Sequence, residues 1–174
     1  MLIFLAVLGA LVGALLLYAA TKPDTCRFSR SIHVLAPPEK IFPLIDAPRA
    51  MNEWNPFVKA DPNIKLSYSG PSNGVGAAND FEGDSRVGAG RVEIVESEHP
   101  SKVVFALRMD RPLKCQNRVE FSIAPGKDGS EVTWAMSGAQ PFVGKLFGVF
   151  VDTEKMVGGA FERGLADLKA RAEA

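Results

Sequence analysis

The chain has 174 residues, 47% of them apolar, with 20 Lys and Arg balanced by 20 Asp and Glu. That balance speaks against a general nucleic-acid binder, which needs a net basic face to displace counterions. The two cysteines, Cys26 and Cys115, and the two histidines, His33 and His99, stand in no CxxC or HxxxH spacing, so neither a disulfide framework, a metal centre nor a bound cofactor is expected.

Leu2 to Ala20 contains no charged residue. As a helix rising about 1.5 Å per residue it spans roughly 28 Å, close to the hydrocarbon thickness of a bilayer. Tyr18 sits where an interfacial aromatic belongs. A cleaved signal peptide is the competing explanation, but no basic residue precedes the apolar run, and Tyr18 spoils a cut after Ala20. A retained single-pass anchor over residues 1–21 is therefore expected, with 22–26 as linker and 27–174 as the folded domain. Lys22, Arg27 and Arg30 all follow the span, which places that domain in the cytosol, on the inner face of the plasma membrane. Gly9 and Gly13, with Ala6, Ala10 and Ala14, offer a small-residue face for a homodimer within the membrane.

Arg27 to Leu35 alternates, with Phe28, Ile32 and Val34 on one face and His33 among serines on the other, which predicts a half-buried strand with an exposed histidine. Pro38 is placed to open a short helix carrying Ile41, Phe42 and Ile45. A second short helix carries Met51, and Trp54-Asn55-Pro56-Phe57 then makes a turn with large aromatics on both sides. Alternating runs follow around Tyr68, Phe81, Ile94, Phe105, Phe121 and Trp134, separated by turn residues at hairpin spacing. They predict an antiparallel meander. Gly74-Val75-Gly76 and Gly88-Ala89-Gly90 lack the third glycine and the strand-to-helix context of a dinucleotide fingerprint. The chain closes on a predicted long helix, Val143 to Ala172, whose stripe is Val143, Phe147, Phe150, Val157, Phe161, Leu165 and Leu168.

One strand, two short helices, six antiparallel strands and a long helix make the helix-grip order, an α+β fold of about seven strands curved around the last helix. Several stretches resemble the START-like (SRPBCC) superfamily, and within it the polyketide cyclase/dehydrase and lipid-transport group. They are Ala36-Pro37-Pro38-Glu39-Lys40-Ile41-Phe42, Trp54-Asn55-Pro56-Phe57, Gly74-Val75-Gly76-Ala77, Val132-Thr133-Trp134-Ala135-Met136 and the run from Phe161 to Lys169. The resemblance covers about residues 27 to 172 and implies an apolar cavity between sheet and helix that holds a hydrophobic molecule such as a lipid or polyketide. It implies no fixed set of catalytic residues.

The inward faces then name the cavity lining. From the corner and the sheet come Trp54, Phe57, Tyr68, Phe81, Phe105, Leu107, Asn117, Phe121, Trp134 and Met136. The helix adds Phe147, Phe150, Val157 and Phe161, with Glu154 in the same stripe. Gly158 and Gly159 cost helix stability, and Gly158 leaves room on the inward face. For Glu154 two placements stay open: facing the cavity, or in the first turn of a new helix capped by Asp152. Binding of a hydrophobic small molecule is the expected function. The alternatives are a cyclase or dehydratase drawing its base from Glu154, Asp80 or Glu82, and a protein-interaction module like co-chaperone relatives of this fold.

Overall fold

The computed structural model describes residues 2–174, with side chains described from Ile3 onward. α1 (Leu2–Ala20) leads into β1 (Thr25–Val34), followed by short helices α2 (Pro38–Ile41), α3 (Pro48–Asn52) and α4 (Pro56–Lys59), with one 3-10 turn at Phe42–Leu44. Each short helix opens on a proline, whose fixed φ suits the first helical position and whose missing N–H costs nothing there. The Trp54 corner thus holds a helical turn, where a simple turn was expected: Asn55 Oδ1 accepts from Phe57 N at 3.0 Å and starts α4.

The meander runs β2 (Lys65–Ser69), β3 (Ala78–Glu82), β4 (Ala89–Glu98), β5 (Lys102–Arg111), β6 (Cys115–Gly126) and β7 (Gly129–Ala139). The seven strands form one antiparallel sheet in the order β1-β7-β6-β5-β4-β3-β2. This is the expected α+β helix-grip architecture. The register fixes two ends. Thr25, Ala139, Cys115, Arg111, Ala89 and Glu82 lie at one, together with the β3–β4 loop, the β5–β6 turn and the entry from α1. The β2–β3 loop, with Val75, lies at the other.

The expected single carboxy-terminal helix is two helices, α5 (Phe142–Phe150) and α6 (Thr153–Glu173). Val151 is extended, and Asp152 Oδ1 accepts from Lys155 N at 3.0 Å, so a side-chain cap replaces the hydrogen bonds a continuous helix would make there. α6 lies in the grip of the sheet, packed mainly on β1, and buries Phe161, Leu165 and Leu168. Those three join Val34, Ile41, Ile45, Phe105 and Phe121 in one core, each contributing about 1.5–3 kcal/mol through lost apolar exposure. α5 lies outside that core and packs on α1. Val143, Phe147 and Phe150, expected on the core stripe, are exposed, Phe150 to 71%. The cap at Asp152 re-aims the chain, so the stripe does not continue from one helix to the next.

Candidate hydrophobic cavity

Between the sheet, α3, α4 and the first half of α6 lies a cavity of about 290 Å³. Its floor is an aromatic stack. Trp134 lies parallel to Phe161, with centroids 4.2 Å apart and an interplanar angle of 8°. Phe57 meets both rings edge-on at 6.3 and 6.4 Å. Gly164 permits this layer, because a Cβ there would stand 2.7 Å from the Trp134 ring and 2.8 Å from Pro56. The walls are Phe81, Phe105, Leu107, Met136 and Val157, and Arg86, Pro112 and Phe57 are the exposed members at the rim.

Four asparagines lie on this apolar lining, Asn52, Asn55, Asn79 and Asn117, of which Asn55 already spends its Oδ1 on the α4 cap. Asn52 Nδ2 donates to the Tyr68 hydroxyl at 3.3 Å, and Asn117 Nδ2 to Cys115 Sγ at 3.6 Å. Gly138 leaves the space Asn117 occupies, since a Cβ there would fall on its Oδ1. Burial pushes the Cys115 thiol up from its ordinary range, against a smaller opposing pull from Asn117, which suits a packed sulfur more than a nucleophile. Trp134 Nε1 is the one buried side-chain polar atom, among the described residues, without a hydrogen-bond partner.

The structure brings Phe57, Phe81, Phe105, Leu107, Asn117, Trp134, Met136, Val157 and Phe161 onto the lining as expected from their faces. Other candidates lie elsewhere. Trp54 and Phe121 are fully buried behind the floor, where Trp54 meets Phe121 and Trp134 edge-on and donates Nε1 to Leu44 O at 2.8 Å. Tyr68 sits near the free edge of the sheet under the Arg49 guanidinium, 4.0 Å above its ring, and lines a separate depression. Phe147 and Phe150 leave with α5.

Glu154 is the clearest correction. Its carboxylate lies outside the cavity, 57% exposed and 2.9 Å from Arg30 Nη1, while Arg30 Nε reaches Glu162 at 2.8 Å. Hydrogen bonds to Glu162 and then Glu154 raise the Arg30 pKa. Gly158 lies one turn from each glutamate, and a Cβ there would stand 2.1 Å from Arg30 Nη2. The missing side chain thus makes room for a guanidinium, where space for a ligand was expected. Asp80 pairs with Arg91 and Glu82 with Arg111, so every carboxylate proposed as a general base is held away from the cavity. Among the described residues Arg86 is the one ionisable side chain on the lining, and Asp84 takes it up by two bonds of 2.8 and 2.6 Å.

Asp61 escapes notice in the sequence. It is buried, its Oδ1 accepts from Asn63 N at 2.9 Å, and its Oδ2 accepts from Asp84 N at 2.8 Å. That carboxylate holds the β3–β4 loop on which Arg86 and Val87 line the cavity. Asn79 was findable by its alternation with Phe81. Asn52 was not, because one turn of helix has no period to read.

A family model described as polyketide cyclase / dehydrase and lipid transport matches residues 25–173. No curated protein matches the chain. Many solved structures share the fold. A Chromobacterium violaceum protein is 18% identical, with 88% of this chain aligned to 99% of that one and a TM-score of 0.60. The Aha1 dimer of Colwellia psychrerythraea is 16% identical, covering 85% of this chain and 96% of that one at a TM-score of 0.60. The di-domain ARO/CYC protein StfQ of the steffimycin biosynthetic pathway is 13% identical, with 86% of this chain and 51% of that one aligned at a TM-score of 0.63.

Proposed function

The chain belongs to the polyketide cyclase/dehydrase and lipid-transport family, and from that premise we propose that its domain binds one hydrophobic small molecule in the cavity beneath α6. The observation that carries this is the lining itself, an apolar chamber with an aromatic floor and the amide groups of Asn52, Asn79 and Asn117 at its walls. A few fixed polar groups in an apolar cleft are the usual composition of a ligand site, and about 290 Å³ is near the lower end of the common size range. That volume suits a single acyl chain or a fused-ring molecule better than a two-chain lipid. The asparagines supply donors and acceptors to a carbonyl or hydroxyl without a charge to desolvate. With Arg86 as the only ionisable lining group among the described residues, binding is better supported than acid–base turnover.

In this reading residues 1–21 anchor the domain, 22–26 link it and 27–174 bind the ligand. α1 is long and apolar enough to cross a membrane, and its side chains are exposed along most of their length. Lys22 and Arg27 after it favour a cytosolic domain at the inner membrane. The face carrying Gly9 and Gly13 is open, since a Cβ at either would meet nothing within 4 Å, which leaves it available to a second copy.

Native mass spectrometry of the full chain, extracted from membranes in mild detergent, tests the binding role. A bound hydrophobic molecule is expected at one per chain, and Leu107→Trp, which fills the chamber, is expected to lose it. A folded wild type that carries nothing and takes up neither a fatty acid nor a fused-ring dye removes the proposal.

A further inference from the structure

α5 presents an apolar face that none of the described residues covers. Phe142, Val143, Phe147 and Phe150 are all exposed, and at 100° per residue they fall within an arc of roughly 140°. The helix cannot roll to hide them. Lys145 is buried with its ammonium 2.6 Å from Asp24, and Gln140 N donates to Asp24 O at 2.7 Å, so the linker after α1 fixes α5 about its own axis. A contiguous patch of large apolar side chains is rare on a monomer in water and calls for a covering partner.

The position of the patch identifies that partner. α5 packs on α1, where Ala19 is buried and Leu15, one turn before it on the same face, is half-buried. Leu15 lies about 8 Å along the helix from Ala20, within the roughly 5–10 Å depth at which interfacial helices sit. The apolar surface of α1 therefore continues onto α5 without a polar break. Leu113, exposed in the β5–β6 turn, lies at the same end of the sheet, as do Arg27 on β1 and Lys114, neither of which makes an ion pair among the described residues. Two of the cavity's rim residues, Arg86 and Pro112, stand at this end as well.

We infer that the outer face of α5 docks on the lipid bilayer, with its phenylalanines at the headgroup–acyl boundary and the cavity rim held against lipid. This rests on α1 being a membrane anchor. The domain then stands on the membrane in one orientation, and an apolar ligand passes between bilayer and cavity without crossing open water.

Full-length chain on a Cys26→Ser, Cys115→Ser background, with a single fluorophore at Phe147→Cys, Leu113→Cys or Val75→Cys, is reconstituted into phosphatidylcholine–phosphatidylglycerol vesicles carrying doxyl-labelled lipid. Quenching several-fold stronger at position 147 than at 75, with 113 between them, is the expected result. Equal quenching at 147 and 75, in chains that float with the vesicles, overturns the docking and leaves the anchor standing. A chain that does not float with vesicles overturns both. Disulfide cross-linking between copies of the unlabelled Phe147→Cys variant, with no lipid quenching at that site, assigns the face to a second copy and also overturns it.

Discussion

α5 and the stretch of α6 from Phe161 onward are built from similar material and meet opposite fates. Both interleave phenylalanine or leucine with glycine at helical spacing, yet α6 buries Phe161, Leu165 and Leu168 completely while α5 leaves Phe147 and Phe150 in the open. The difference lies in what faces them. α6 is met by the concave sheet and by Trp134, whereas α5 is met by one apolar helix on one side. An apolar stripe reports that a face needs covering, and only tertiary structure reports what covers it.

The largest test of that contrast is a matched pair of truncations. Phe161→Ala removes the ring stacked on Trp134 and is expected to cost about 3–5 kcal/mol. Phe147→Ala is expected to change stability by under about 0.5 kcal/mol. Thermal unfolding of the full chain in detergent checks both; equal losses would mean that α5 is part of the core.

Glycine substitutions sharpen the same point at a smaller scale. In Gly164→Ala the new methyl meets a rigid ring and a proline, costing about 1–3 kcal/mol and partly offset by roughly 1 kcal/mol of helix propensity. In Gly148→Ala nothing stands closer than 3.7 Å, so a gain of up to about 1 kcal/mol is expected. Chemical denaturation of the two variants should show midpoints moving in opposite directions.

Asp152→Ala removes the cap that separates the two helices and should cost about 1 kcal/mol. Faster amide exchange is expected in the first turn of α6, with Leu165 and Leu168 unaffected; no change there would show that the break does not depend on the cap.

The smallest effect is acid loosening of α5. A hydrogen bond from Lys145, and then its charge, hold the Asp24 carboxyl below its ordinary value of 3.8. A carboxylate with a depressed folded pKa stabilises the fold above its unfolded pKa, and that contribution fades as pH falls through the folded value. Amide exchange in α5 should therefore rise relative to Leu165 and Leu168 below about pH 4. Asp24→Asn should abolish that step.

Much of the fold was legible because strand alternation is local. Ile94, Phe105, Phe121 and Trp134 declare their faces by their neighbours, and the hairpin turns between them declare the topology. The site was legible where a residue's face decides its role, as for Phe105, Leu107 and Asn117. It was illegible where depth decides. Trp54 and Phe57 flank one corner, yet one seals the floor from behind and the other stands at the rim. Glu154 was illegible for a different reason, since its partner Arg30 arrives from β1, 124 residues away. No local pattern encodes that meeting. Asp152, by contrast, carried its capping signal openly, and the signal outweighed the apolar stripe running through it.

The aromatic floor also makes the protein its own optical instrument. The chain has two tryptophans, and both belong to that one cluster, with ring centroids 5.7 Å apart. The emission of the whole molecule therefore originates within a few ångströms of the cavity floor. Filling or emptying the chamber should register in the colour and lifetime of native fluorescence, with no dye attached.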